Sequence, residues 1–299
     1  RIMVDGEPIA DAAIADAWDE IAPIVALVDD ELEQKDEPPL TFFELLTVLA
    51  FVSFADAPVD VAVIEVGMGG SWDATNTADG DVAVFAPIDI DHADKLGDTI
   101  GEIATVKAGI IKQGAAAVSA AQTPAAASVL ASAARAQGAS LAVEGEQFGL
   151  LDQKLAVGGQ LFTLRGLAAT YEELYLPLYG AHQGHNAALA ITAVESLIGG
   201  GTQPIAADVL ADGLGNVTSP GRLQLVGIAP TVIVDSAHNP HGARALVAAL
   251  GDSFDFDEWG LVLGAFADKD VAGIVGALAP AVAHVFATAP ESDRAEEPD

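Results

Sequence analysis

The sequence predicts an α/β protein built on a parallel sheet, and three observations carry that expectation. Apolar runs of strand length, Val59–Val66 and Val82–Ile88, are near-continuous rather than alternating, the pattern of strands buried on both faces. Stretches of helical spacing alternate with them, at Thr99–Lys107 and Pro124–Ala136. From 140 to 178 the character changes to short alternating runs such as Gln160-Leu161-Phe162-Thr163-Leu164, which predict a small antiparallel β patch.

The elements follow in order. Thr41-Phe42-Phe43-Glu44 ahead of an apolar run has the spacing of a capping box, so a helix is expected to start at Phe42. Val59–Val66 is expected as a buried strand ending at Gly67, and Asp81–Ile88 as the next. The Thr99–Lys107 helix, a short strand at Ala116–Ser119 and the Ala-rich helix Pro124–Ala136 come next. Beyond the β patch, helical pattern resumes at His182–Leu197 and near Pro204–Leu214. After the turn Ser219-Pro220-Gly221-Arg222, Thr231–Asp235 is expected as a buried strand. Asn239 suits a helix N-cap and Pro240 the first helical position, with the helix running to about Leu250. A strand at Leu261–Gly264, a helix at Lys269–Leu278 and a strand at Val282–Thr288 close the pattern. Two domains are expected, 1–218 and 219–299.

Charge narrows the function. The 299 residues hold 44 Asp and Glu against 12 Lys and Arg, a formal net charge of −32. Phosphate contacts need clustered cations, so a broad nucleic-acid surface and an anionic membrane surface are both excluded as expectations. Apolar residues make up 51% of the chain, enough for a core inside an acidic shell. No cysteine is present, which removes disulfides, thiol nucleophiles and Cys-ligated zinc. The long uncharged stretches, 113–134 and 271–290, are broken by Pro, Ser, Gln or His and do not read as membrane spans. The expectation is a cytoplasmic monomer.

Ligands of open parallel sheets bind at the C-terminal ends of strands. Glu65 falls at such an end, before Gly67-Met68-Gly69-Gly70, and His92 lies just past the next strand. If those strands are neighbours, a carboxylate and an imidazole face one crevice, a pairing that suits a divalent cation. Each residue alone also reads as an ordinary polar loop residue, Lys107 as a solvent-facing helix lysine, and Gly69-Gly70 as a turn. No G-x-x-x-x-G-K-[ST] loop occurs in the chain. On the residues alone the reading stops at an acidic α/β protein with a metal and nucleotide site.

The segments taken together are far more specific. Thr41-x-Phe43-Glu44-x-x-Thr47-x-x-Ala50-Phe51, then Glu65-Val66-Gly67-Met68-Gly69-Gly70-x-x-Asp73-Ala74-Thr75-Asn76, then Asp91-His92-x-x-x-Leu96-Gly97-x-Thr99 with Ile103-Ala104-x-x-Lys107-Ala108-Gly109-Ile110, form an ordered series. His182-Gln183-x-x-Asn186, Gly221-Arg222 and Asp235-x-Ala237-His238-Asn239-Pro240 complete it. The series resembles the folylpolyglutamate synthases and dihydrofolate synthases of the Mur-ligase-like superfamily. The resemblance implies a Mur-ligase-like parallel-sheet ATPase domain with a small β patch, followed by a partial Rossmann-like C-terminal domain. It implies ATP-dependent ligation of L-glutamate to dihydropteroate or to the γ-carboxylate of folates through an acyl phosphate. Another Mur-type amide ligase and a non-catalytic homologue are the alternatives.

Residue roles follow from the resemblance. Glu65 and His92 correspond to Mg²⁺ ligands, and Lys107 to a lysine carbamylated by CO₂, which turns a repelling ammonium into an anionic oxygen ligand. A monovalent cation is also compatible. Asn186 corresponds to an adenine contact, Arg222 to an arginine that reaches ATP phosphate, and Asp235 to a ribose-binding carboxylate. His238 corresponds to a residue facing the acyl phosphate or the incoming glutamate, and Lys269 to a weaker match. Ser71 stands where the family often has Arg, and Val106 where an acidic residue is usual. Arg1-Ile2-x-x-Asp5-Gly6-Glu7-Pro8-Ile9 resembles the segment that follows the family's phosphate loop, so a fragment lacking that loop and its C-terminal end is expected, inactive and poorly stable alone. The 27 Asp against 6 Lys suggest a saline habitat. Ligation by the whole gene product is therefore expected to persist at molar KCl; a sharp fall in turnover across that range would count against the expectation.

Overall fold

The computed structural model describes residues 2–297, so Arg1, Pro298 and Asp299 of the terminal segments discussed above lie outside the described residues. In chain order the elements are β1 (Met3–Val4), β2 (Glu7–Pro8), α1 (Asp11–Gln34), α2 (Phe42–Asp56), β3 (Val82–Phe85), α3 (Ala93–Leu96), α4 (Ile100–Ala108), β4 (Ala116–Ser119), α5 (Pro124–Ala136) and β5 (Ser140–Val143). They continue with β6 (Gly149–Ala156), β7 (Gly159–Arg165), β8 (Thr170–Leu176), α6 (His182–Gly199), α7 (Ala207–Gly215), β9 (Gln224–Ile228), β10 (Thr231–Val234), α8 (Pro240–Ser253), β11 (Gly260–Leu263), α9 (Val271–Leu278) and β12 (His284–Ala287).

β3, β4 and β5 lie side by side in that order. Ala116 N–H donates to Asp81 C=O and Ala120 N–H to Phe85 C=O, while Ser140 N–H donates to Ala115 C=O and Glu144 N–H to Ser119 C=O. Both series advance the same way along both strands, so the sheet is parallel, as expected. Residues 140–143 belong to this sheet rather than to the β patch, because their N–H groups find β4. The antiparallel patch begins later, as β6–β7–β8. On β7 the alternation expected from sequence holds: Phe162 and Leu164 point into the core and are 2% and 0% exposed.

The chain divides into two compact units. The first comprises Arg1–Ala83, Pro87–Ala117 and Gln122–Leu141; the second comprises Val84–Ala86, Val118–Ala121 and Ala142–Asp299. In the first, α5 buries Ala126, Leu130 and Ala134, spaced four apart on one face, and α4 buries Ile103, Ala104 and Ala108. The Thr41 box forms as read: Thr41 Oγ1 accepts from Glu44 N–H, and the Glu44 carboxylate accepts from Thr41 N–H. Those bonds hold the Glu44 carboxyl below its ordinary pKa. In the second unit, Asn239 caps α8 and Pro240 opens it, again as expected. Ala243, Ile274 and Leu278 join α8 to α9 in a small apolar core. β11 and β12 pair in parallel, and β9 and β10 antiparallel.

Two expectations need correction. Residues 59–66 form no strand: Val61 is 58% and Val63 92% exposed. Apolar content supplies only a propensity, whereas a strand needs a ladder partner for its backbone groups. None of the described residues pairs with this run. The strand expected to be buried at 231–235 forms at 231–234 but is not buried, with Val232 43% exposed. The strand at 284–287 forms as expected and is also exposed, Phe286 at 61%. Each belongs to a two-stranded sheet whose faces the described residues leave partly uncovered.

One buried polar residue organises the second unit. Glu195 on α6 is fully buried and accepts from Leu167 N–H (2.6 Å), Ala168 N–H (3.2 Å) and Tyr171 O–H (2.7 Å). Tyr171 Oη accepts from Ile205 N–H at 2.9 Å, which ties in the approach to α7. Burial pushes the Tyr171 phenol above its ordinary pKa. Glu195→Ala, which strands these donors, is expected to lower the unfolding free energy by about 2–4 kcal/mol in urea titrations. Glu195→Gln is expected to cost nearly as much despite its shape, because its NH₂ would face donors.

Candidate active site

In the first unit, three segments meet around Gly69 and Gly70. A Cβ on Gly69 would lie 2.9 Å from Val106 Cγ1 of α4 and 3.0 Å from Leu96 Cδ2 of α3. A Cβ on Gly70 would lie 2.7 Å from Val106 O, 2.8 Å from Lys107 O and 3.1 Å from Lys107 Cα. The backbone therefore crosses the last turn of α4 at a separation only glycine permits. Asp73, almost fully buried, fixes the loop by accepting from Met68 N–H (2.8 Å) and Thr75 N–H (3.0 Å).

The three expected metal-site residues sit on these segments. Glu65 is exposed on the run that enters the loop. His92 caps α3 in the left-handed region (φ 51°), with Nε2 3.9 Å from Asp91. Lys107 is half-buried in the last turn of α4, and among the described residues its ammonium has no hydrogen-bond or ion-pair partner. No group of three or more His, Asp or Glu side chains that could hold a metal occurs among the described residues. The expected set contains only two such side chains and takes its third donor from Lys107. An ammonium cannot ligate a cation, whereas a carbamate offers anionic oxygen, so these residues fit a divalent cation in the carbamylated form.

In the second unit, two turns are stitched together around Asp235. Its carboxylate accepts from Leu223 N–H and Ala237 N–H, each at 2.8 Å, and Ser236 N–H donates to Gly221 C=O at 2.8 Å. Arg222 donates from Nη1 to Ser236 Oγ. Leu223 is held at φ 45° by this pairing. His238 Nδ1 lies 3.0 Å from Ser236 O; a carbonyl only accepts, so Nδ1 carries a proton, and in the neutral ring the lone pair is on Nε2. Arg222, Asp235 and His238 are thus brought together. Asn186 is exposed one turn beyond His182 on α6, with its Nδ2 3.3 Å from Gln183 Oε1. Lys269 is 3.6 Å from Asp268, whose two carboxylate oxygens both accept from Arg294 Nη2 at 2.9 Å and whose pKa lies below its ordinary value chiefly for that reason.

Sequence reading assigned no role to His182, although it opens the His182-Gln183-x-x-Asn186 motif. Its ring lies against Gly180 and feels the charges of Asp235, Arg222 and His185. Burial leads in lowering its pKa below the ordinary 6.5; Arg222 and His185 lower it further, against Asp235, which raises it. His185 donates from Nδ1 to Glu144 at 2.5 Å, a pair that no local motif signals because 41 residues separate its members.

With this geometry in hand, the comparisons are consistent. The family description "Mur ligase middle domain" matches residues 12–194, and "Mur ligase, glutamate ligase domain" matches 221–299. The chain belongs to the Mur ligase family. It is 47% identical over 305 residues to the dihydrofolate synthase/folylpolyglutamate synthase of Mycobacterium tuberculosis, covering 99% of this chain and 63% of that protein. The crystal structure of M. tuberculosis folylpolyglutamate synthase complexed with ADP and AMPPCP superposes with a TM-score of 0.92 at 46% identity, over 99% of this chain and 66% of that one. The L. casei apo enzyme superposes with a TM-score of 0.87 at 33% identity, over 98% and 70%. Within the family the chain falls in the folylpolyglutamate synthase and dihydrofolate synthase group, and it spans just under two thirds of the length of the first of these relatives. No helix among the described residues is long and apolar enough to cross a membrane.

The lowered His182 pKa has a definite sign. The unfolded chain binds its proton more readily, so this residue's contribution is fully present above about pH 6.5 and is lost as pH falls toward the folded-state value. His182→Gln is expected to flatten the stability-versus-pH curve as pH falls below 6.5 relative to wild type, measured by urea unfolding at each pH. Curves that stay parallel through that window would contradict the assignment.

Proposed function

We propose that the protein ligates L-glutamate to dihydropteroate or to the γ-carboxylate of a folate, using ATP and forming ADP. The observation that carries the reading is Lys107. It is a half-buried lysine without a partner among the described residues, at the one place where the glycine loop crosses α4. Similarity over 99% of the chain to a dihydrofolate synthase/folylpolyglutamate synthase supports it, as does a solved relative named as a folylpolyglutamate synthase–AMPPCP–folate complex.

The reactants are all anions, so the chemistry needs positive charge placed where charge develops. Glu65, His92 and carbamylated Lys107 would hold Mg²⁺. When bound, Mg²⁺ would screen phosphate oxygens as a Lewis acid. Arg222 would meet ATP phosphate, Asn186 the adenine and Asp235 the ribose. Asp235 can take a ribose hydroxyl on the lone pairs its two backbone donors leave free. The substrate carboxylate attacks the γ-phosphorus and ADP leaves; the glutamate amine then attacks the acyl carbon, and phosphate leaves with the C–O bond. The Nε2 lone pair of His238 is suited to receive the proton that the amine loses. The family matches at 12–194 and 221–299 support a domain boundary near 218/219. We also place the protein in the cytoplasm as a monomer with small-molecule substrates.

The test is ADP release by the whole gene product. Release is expected to require both glutamate and a pteroate or folate acceptor, and to fall on the order of 100-fold or more in Lys107→Met and Arg222→Ala. ADP release indifferent to both co-substrates would overturn the reading.

A further inference from the structure

We propose that Asn76 is a positioning residue for Lys107. It acts by tying the glycine loop to the C-terminal exit of α4, with Lys112 as its support. The helix end supplies the need for such a tie. The last carbonyls of an α-helix have no partner within the helix. In α4 the next residues close them with long bonds, Gly109 N–H to Val106 C=O (3.2 Å) and Ile110 N–H to Lys107 C=O (3.3 Å), and the loop reaches the same end from outside. Ser71 N–H donates to Val106 C=O at 2.9 Å, which brings the loop onto the residue before Lys107. The Asn76 amide then donates from Nδ2 to Ser71 C=O and to Gly109 C=O, both at 3.2 Å. One NH₂ group therefore spans the loop and the α4 exit, reaching Gly109 from 33 residues away in sequence. Lys112 Nζ donates to Asn76 C=O at 2.7 Å and fixes the backbone from which the amide reaches.

The orientation of the amide is set by its partners. Both are carbonyl oxygens, so only the NH₂ end can face them. Space leaves little slack, since a Cβ on Gly109 would overlap Ser71 and one on Gly70 would overlap the Lys107 backbone. Loosening the tie would let the last turn of α4 move away from the loop, and Lys107 is the side chain that rides on that turn. The exchange Asn76→Asp keeps the shape but puts a carboxylate against two carbonyl oxygens, so it is expected to be worse than Asn76→Ala.

This proposal rests on the reading of Lys107 as a working residue of the site, but its test does not depend on turnover. Trace acetylation in CO₂-free buffer, quantified by mass spectrometry, gives the reactivity of Lys107 relative to Lys154 in the same molecule. Asn76→Ala is expected to raise that ratio roughly three- to tenfold, the change in local opening that loss of one or two hydrogen bonds allows, with Asn76→Asp above it. Lys112→Met, a milder change, is expected to move it the same way by less. The exposed Thr77→Ala, outside the tie, is expected to leave it unchanged. A Lys107 ratio that stays at the wild-type value in Asn76→Ala and in Lys112→Met would overturn the proposal. Reactivity that follows the variants in a gene product that shows no ligation would remove the functional reading and leave the positioning role standing.

Discussion

The crossing of Gly69–Gly70 over the last turn of α4 is the constraint on which the first unit's site depends. Any side chain at position 70 would collide with the carbonyls of Val106 and Lys107. That closeness does two things. It lets Ser71 N–H add a second bond to the Val106 carbonyl, and it sets the loop that follows the run carrying Glu65 against the turn carrying Lys107. Asp73 holds the loop from within, and Leu96 of α3, four residues after His92, seals its other side. Gly70 acts here through close approach of backbone to backbone, and Gly69 through its positive φ of 74° and its contact with the side chains of Val106 and Leu96.

The acidic composition makes the placement of the cations informative. Several of the 12 are committed to acceptors of the protein itself: Lys112 to Asn76 C=O, Arg165 to Glu146 C=O and Arg294 to Asp268. Arg222 is held by Ser236 within the stitched turns around Asp235. In so negative a field an anionic reactant finds few cations, and those it meets are oriented in advance by hydrogen bonds. The surface pairs themselves add little to stability, because water screens them.

Motifs that close on themselves were legible in the sequence. Thr41 with Glu44 and Asn239 with Pro240 carry their meaning within a few residues, and both form as read. The Thr99–Glu102 capping box has the same spacing and could have been read the same way. Groupings that depend on distant partners were not legible. Glu195 looks like any helix glutamate until the 167–171 turn folds over it, and Asn76 looks like the end of a motif until Gly109 arrives. His182 has its pKa lowered first by burial and then by Arg222, 40 residues further along the chain, and by His185, against Asp235, which raises it.

The sequence by itself determined the α/β class, the parallel order of strands and helices and the helix caps, because periodicity and short-range hydrogen bonding are local properties; the candidate residues came from the resemblance of its ordered motifs to a known family. Only the tertiary structure decided which apolar runs become strands and which side chains meet. Residues 59–66 have the composition of a buried strand and yet find no ladder partner among the described residues, since a ladder is made by two segments and not one. Residues 140–143 read as part of the patch and yet pair with β4, for the same reason. The clustering of Arg222, Asp235 and His238 likewise depends on backbone donors from two separate turns, a condition that no single stretch of sequence contains.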